Sequence, residues 1–400
     1  MTRNPRTSAL LLAAALGTAA STAGAVDPMP INDDGPVDFI PTLKVSQGYD
    51  DNVSETKSGE GSNVTQVAPT FLLRAQERAN RYQFRYTPTF ERYSHDSDDN
   101  RVNHFATANS RLIFNARNRV NLGLSARRNQ QTIGESERQT SQVDEGDINE
   151  RLTLDGTYTF GARGAKGQIE LAGGYLWNRY DNNPNLTEDQ EYDSPRAGAT
   201  FLWRVAPRTQ LLVEGRYADF NYTNGDPRER DSQNLSALVG ARWQATAKTS
   251  GSVRVGREDK DFDDADNDDT DANRWEAQVN WRPAPHSRVR LNTGNSIKEA
   301  DSGTEEAIEQ TIYGLSWDYD WDGQVSSNIS YRFRDKDYID SDGSTDDRND
   351  ELHTVSVGVS YSFRRWLDFG FETRFKDNDS TEGPQSYDQN TYFLTATLSL

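Results

Sequence analysis

The sequence predicts an all-β fold: a transmembrane, antiparallel, up-and-down β-barrel of about 18 strands, with short periplasmic turns and long acidic extracellular loops. Three observations predict it. From Val37 to the last residue, apolar and polar side chains alternate with a period of two, which sends them to opposite faces of a strand. The connections alternate by turns between tight and long. Finally, 8 Trp, 17 Tyr and 16 Phe accompany a mean hydropathy of only -0.90, as expected where half of every strand faces water and the loops are polar.

In chain order, Arg3 and Arg6 precede a short apolar run at 9–16, and Ala23-Gly24-Ala25 follows as a small-residue cleavage site. Residues 1–25 therefore read as a secretory signal peptide, expected to be cut after Ala25. The chain has no cysteine, which leaves no lipid anchor and no disulfide. Residues 26–36, with prolines and no period, read as a periplasmic N-terminal linker, and 37–400 as the outer-membrane barrel. No later window approaches the roughly 18 consecutive apolar residues of a membrane-spanning helix. Acidic residues outnumber basic ones by 63 to 44, for a net charge of -19, which argues against nucleic acid as a partner.

The period is clearest in the second half. Trp275, Ala277, Val279 and Trp281 alternate with Glu276, Gln278 and Asn280, and Ile329, Tyr331 and Phe333 alternate with Ser330, Arg332 and Arg334. Tight connections are expected at 77–80, 115–118, 162–166, 206–209, 246–249, 284–287, 321–323 and 364–365. Long ones are expected near 50–63, 94–100, 132–147, 181–191, 223–231, 261–271, 300–306, 339–350 and 378–388. Strands of roughly 9–14 residues fit a tilted bilayer crossing. A soluble sandwich has strands of about 5–6 residues and no reason to sort its loops by length. The last strand, from Tyr392 to Leu400, resembles a C-terminal barrel-assembly signal, with Leu400 where an aromatic is usual and Thr395 where glycine is common.

The outward register carries an aromatic girdle: Trp177, Trp203, Trp243, Trp275, Trp281 and Trp317. Trp275 and Trp281 are about 20 Å apart along one strand, enough to reach both interfaces. The inward register is basic, with Arg85, Arg127, Arg204, Arg216, Arg242, Arg254, Arg282, Arg288, Arg290, Arg332, Arg334 and Arg374 as lumen-lining residues. Inward acids such as Glu91, Asp155, Glu170, Glu214, Glu276, Asp318, Asp368 and Glu372 are fewer. A basic lumen beneath an acidic rim concentrates anions, and guanidinium recognises carboxylates and phosphates in a bidentate manner. The competing reading is that inward Arg and Glu pair across strands and hold the wall together. Inward aromatics are expected to be few, Tyr180 and Phe393 among them. A barrel of this size encloses an aqueous channel unless plugged. The short segment before the first strand leaves no plug domain, although a loop such as 132–147 could narrow the pore.

No cysteine nucleophile exists, and His95, His104, His286 and His353 fall at strand ends or in connections, so no enzyme is expected. Acidic loops at 261–271 and 340–346 offer oxygens for loose Ca²⁺ or Mg²⁺ association, without a dedicated site. No other cofactor is expected.

The first strand ends in Gly48-Tyr49-Asp50-Asp51-Asn52, with the acids read as the start of the first outward loop, facing water. This motif, followed by a variable Ser/Gly-rich loop, resembles the start of outer-membrane β-barrel porins encoded with exopolysaccharide or capsule export machinery. The resemblance implies a conduit through which a secreted polysaccharide leaves the cell, seated among outer-membrane lipid and lipopolysaccharide and fed by a periplasmic polysaccharide-export protein. A basic lumen suits an acidic polymer. The alternative is a general or anion-preferring diffusion porin for small solutes, and behind both stands a structural or adhesive barrel.

Overall fold

A computed structural model of the chain describes residues 37–134, 145–225, 229–244, 248–300, 305–339 and 345–399. The expected signal peptide and linker, and Leu400, lie outside the described residues, as do parts of the loops expected at 132–147, 223–231, 300–306 and 339–350.

The strands are β1 (Val37–Asp50), β2 (Ser62–Glu77), β3 (Asn80–Tyr93), β4 (Arg101–Ile113), β5 (Asn118–Gln130) and β6 (Ile148–Phe160). There follow β7 (Gly167–Tyr180), β8 (Tyr192–Ala206), β9 (Thr209–Tyr222), β10 (Ser232–Trp243), β11 (Thr249–Phe262) and β12 (Thr270–Trp281). The last six are β13 (Ser287–Glu299), β14 (Ala307–Asp320), β15 (Val325–Ile339), β16 (Thr345–Arg364), β17 (Leu367–Ser380) and β18 (Tyr387–Ser399). Each strand pairs antiparallel with its neighbours in sequence, and β1 pairs with β18 from Thr42↔Ser399 to Asp50↔Thr391, closing an 18-stranded sheet. Closure leaves no unpaired edge for lipid to solvate. No described helix is long and apolar enough to cross a membrane.

The alternation sorts the faces as expected: Leu211, Val213, Val239 and Val255 are exposed on the outside, while Leu202, Leu212 and Leu238 on the alternate register are buried. Three loops are shorter than the sequence suggests. β11 and β12 extend into 261–271, β16 begins at Thr345, and β17 and β18 reach into 378–388. Strand tips beyond the bilayer need no apolar face, so their polarity disguises them as loop. Asn349, for example, donates to Asp335 at 2.8 Å and to Asp337 at 2.7 Å, a polar ladder between β15 and β16. The β7–β8 connection also folds locally, with a helical turn at Pro184–Thr187.

One joint departs from the regular barrel. β12 and β13 pair only from Trp275↔Asn295 to Trp281↔Val289. Above that point β13 leaves β12 and bends inward, and Ile297 packs with Ala272, Ala307 and Ile339 against Phe262. The Ile297 amide donates to Glu258 Oε2 at 3.1 Å. Glu258, Phe262 and Ala272 all lie on the inner register of β11 and β12, so the end of β13 lies inside the barrel.

Candidate functional site: the lumen wall and the closing seam

The lumen is lined by every second residue of each strand, and its charges divide into two regions. From β7 to β14, Arg216, Arg242, Arg254 and Arg290 are committed to carboxylates. Arg242 on β10 reaches across two strands to grip Glu170 on β7 at 3.0 and 3.1 Å. Arg216 on β9 binds Glu276 on β12 and its own neighbour Glu214 at 2.6 Å. Glu214 also accepts from Arg254 at 2.7 Å, and Arg290 meets Asp318 at 2.9 Å. For these four arginines the pairing reading holds, and their partly desolvated charges are offset by their partners.

The wall formed by β15–β17 differs. Arg332, Arg334 and Arg374 share the inner register there and lie within electrostatic reach of one another. None of the three has an ion pair among the described residues. Glu372, on the same face of β17, is engaged by Lys44 at 2.7 and 2.8 Å. Arg332 is exposed to the lumen. Arg85 on β3 likewise has no ion pair among the described residues, while Arg127 on β5 and Arg288 on β13 share the inner register.

Two arginines expected in the lumen do something else. Arg204 donates to the carbonyls of Ala165 at 3.1 Å, Pro207 at 2.9 Å and Arg163, so it staples two tight turns together. Arg282 lies past the end of β12, in the turn, where it is exposed. Conversely, Arg151, Lys260, Arg274 and Lys298 are inside the barrel and were missed. Arg274 was legible, since it precedes Trp275 in the same alternation, whereas Lys298 depends on the bend of β13.

Inward aromatics are also more numerous than expected. Tyr192, Phe220 and Tyr222 pack together with Leu176, and Tyr338 packs with Ile308 and Ala300. Phe105, 42% exposed, faces open lumen from β4. These rings crowd the outer half of the barrel. Tyr180 and Phe393 keep the inner register. Outside, Trp177, Trp203, Trp243, Trp275, Trp281 and Trp317 share the lipid register, and Trp321 and Trp366 join them from the tight turns with 62% and 46% exposure.

The Gly48–Asn52 motif is corrected by the structure. Asp50 and Asn52 are buried, at 7% and 6% exposure, so the acids do not simply face water. They continue the β1–β18 ladder above its last pair. Asp51 accepts from the Asn390 amide at 2.6 Å and from its side chain at 2.7 Å, while the Asp51 amide donates to the Asn390 carbonyl at 3.2 Å. Asn52 donates to the carbonyls of Asp388 at 2.7 Å and Thr56 at 2.8 Å. Gln389 donates to Asp50 and to the Asn52 carbonyl, both at 3.0 Å. Below them, a Cβ on Gly48 would stand 2.1 Å from the Tyr392 carbonyl oxygen and 2.4 Å from Phe393 Cδ1, so only glycine admits this approach. Tyr49, exposed on the outer register, covers Gly61, where a Cβ would stand 2.2 Å from the Tyr49 hydroxyl. The motif latches the first strand to the last. Among the described residues no three His, Cys, Asp or Glu are grouped to hold a metal ion.

The family model described as "Putative beta-barrel porin 2" matches residues 37–400. No curated protein matches the sequence. Among solved structures, the outer membrane protein OpdK of Pseudomonas aeruginosa is 12% identical, covering 91% of this chain and 99% of its own, with a TM-score of 0.47. OpdL of the same organism is 14% identical over 91% and 99%, with a TM-score of 0.46. The siderophore receptor PirA, also from Pseudomonas aeruginosa, is 9% identical over 90% and 80%, with a TM-score of 0.44. The family match spans every strand of the closed barrel, so the chain belongs to this family of β-barrel porins and is a porin-like channel protein of the outer membrane.

Proposed function

We propose that the barrel conducts acidic molecules across the outer membrane, and that its cargo is an acidic exopolysaccharide leaving the cell. The observation that carries the reading is the wall of Arg332, Arg334 and Arg374, cationic and without carboxylate partners among the described residues. Guanidinium forks match carboxylates and phosphates, and a low-dielectric wall focuses their field on the lumen. Export, rather than uptake, is supported by the resemblance carried by Gly48–Asn52. A periplasmic polysaccharide-export protein would deliver the polymer at the tight-turn end, and lipid and lipopolysaccharide would surround the barrel. Acidic strand tips such as Asp263 and Asp266 would hold Ca²⁺ or Mg²⁺ loosely at the outer rim.

A second reading, a diffusion porin for small anions, is favoured by the crowding of the outer half by Tyr192, Phe220, Tyr222 and Tyr338. Deleting the gene and measuring acidic polysaccharide on the cell surface and in the periplasm separates the two. Export predicts surface loss with periplasmic retention, restored by the wild-type gene and poorly by R332Q/R334Q. Unchanged surface polysaccharide would overturn the export reading and leave the small-anion channel.

A further inference from the structure

A second group of arginines lies at the tight-turn end of the lumen, on β2, β3 and β4. Leu73 on β2 and Tyr82 and Phe84 on β3 are exposed on the lipid face, so Arg74, Arg81, Gln83 and Arg85, in the alternate register, point into the barrel. The pairing of the strands fixes how they meet. Arg74 stands directly opposite Gln83, and Arg81 and Arg85 flank Gln83 along the same face of β3. On the other flank of β3, Arg81 stands directly opposite Arg111 of β4. Opposed residues have Cβ atoms about 5 Å apart and diagonal ones about 7–8 Å, close enough for long guanidinium side chains to reach one shared group.

Arg74, Arg81 and Arg85 have neither a side-chain hydrogen bond nor an ion pair among the described residues, and Arg74 and Arg81 are exposed to the lumen. Gln76, opposite Arg81 on β2, gives its side-chain amide to the Arg78 carbonyl at 3.4 Å. Arg85 faces Leu72 on one side and Thr107 on the other. The one acid in direct register with any of the three is Asp38, opposite Arg74 on β1. It is exposed and forms no ion pair among the described residues. Like charges placed directly opposite each other across a ladder cost stability, so the Arg81–Arg111 pair is stabilised by an anion that bridges it.

Their level along the barrel sets their role. β2 ends at Glu77 and β3 begins at Asn80, so Arg74 and Arg81 lie just inside a tight turn, whereas Arg332 and Arg374 lie in the middle of β15 and β17. We propose that Arg74, Arg81 and Arg85, with Arg111 adding its charge from β4, form an oxyanion-binding station at the tight-turn mouth of the lumen. It takes a carboxylate or phosphate group of the solute before that group reaches the β15–β17 arginines. Guanidinium forks offer paired donors to such a group, and Gln83 adds a neutral amide in their midst. The inference rests on the proposed function only for the anionic nature of the cargo.

The test uses the purified full-length barrel in planar bilayers, with chloride current as the signal. Inorganic phosphate and, separately, an oligomer of glucuronic acid are added as blockers. Wild type is compared with R74Q, R81Q, R74Q/R81Q and R117Q, with heat-dependent mobility on gels verifying that each is folded. Arg117 is exposed in the tight turn between β4 and β5, so R117Q removes a charge at the same end without touching the station. Loss of one charge-assisted contact makes R74Q or R81Q bind phosphate about tenfold more weakly, and either single variant carries the comparison if the other misfolds. R74Q/R81Q abolishes block, while R117Q leaves it in place. Tighter block by the uronate oligomer assigns the station to a polymer-borne group; tighter block by phosphate assigns it to small anions. Equal block in wild type, R74Q and R81Q, a loss in R117Q as large as in R81Q, or no block by either compound, overturns the station. A cation-selective wild type with Arg81-dependent block overturns the conduit reading and leaves the station standing. An anion-selective wild type whose block ignores Arg74 and Arg81 does the reverse.

Discussion

Replacing Asp51 with alanine is the sharpest probe of how the barrel closes. In the native seam its carboxylate takes two hydrogen bonds from Asn390, at 2.6 and 2.7 Å. A hydrogen bond to a charged group contributes about 1.5–3 kcal/mol, and the half-exposed setting puts each near the lower figure, for about 3 kcal/mol in all. The loss falls on the joint that converts a sheet into a barrel, the β1–β18 ladder ending at Asp50↔Thr391. Urea titration of the protein refolded into lipid vesicles, followed by tryptophan fluorescence, reads this directly. Asp51→Ala should lower the unfolding free energy by about 3 kcal/mol and Asp51→Asn by less, because the amide keeps one acceptor. Asp266→Ala, at an exposed acid of the β11–β12 loop, should change it by less than about 0.5 kcal/mol. Equal effects at Asp51 and Asp266 would refute the latch and return the motif to a solvated loop.

Gly48→Ala should reduce the assembled fraction in the same assay, because the added methyl meets the Tyr392 carbonyl and the Phe393 ring; normal assembly would show that the strands part more readily than the structure implies. Glu55, in the loop after β1, gives a pH dependence. Burial alone would raise its carboxyl, but Lys376 at 2.7 Å and Tyr387 at 2.8 Å outweigh burial and hold it below the ordinary value of 4.5. A carboxyl depressed in the fold stabilises above its unfolded value and loses that contribution as the pH falls through the lower folded value. Protease nicking of the first loop should therefore rise as the pH falls below the ordinary carboxyl value of 4.5 and through the lower folded one, and Glu55→Gln should remove the pH step. Lys260→Met strands the buried Glu299 and should cost about 3–5 kcal/mol, much of it recovered by adding Glu299→Leu; a neutral single substitution would contradict the inward bend of β13.

The barrel was readable because its logic is local. Period-two alternation in β12 and β15, together with the sorting of loops into short and long, follows directly from strands that cross lipid and return. Other features were hidden because they join residues far apart in the chain. Nothing near Asp51 announces Asn390, and nothing near Arg204 shows that its guanidinium caps two turns instead of lining the lumen. The bend of β13 was invisible for a different reason. Ile297 continues the outward register that Val289 and Leu291 begin, and alternation cannot tell whether an outward face meets lipid or the inner face of another strand. Tyr192, Tyr222 and Tyr338 escaped notice at strand ends, where polar neighbours blur the period.

The reversal potential of the single channel under a KCl gradient tests the central claim most directly. A lumen whose unpaired charges include Arg332, Arg334 and Arg374 should favour chloride, and R332Q/R334Q should move the potential toward potassium. A wild-type channel that prefers potassium, or one whose potential does not move in the double variant, would contradict it.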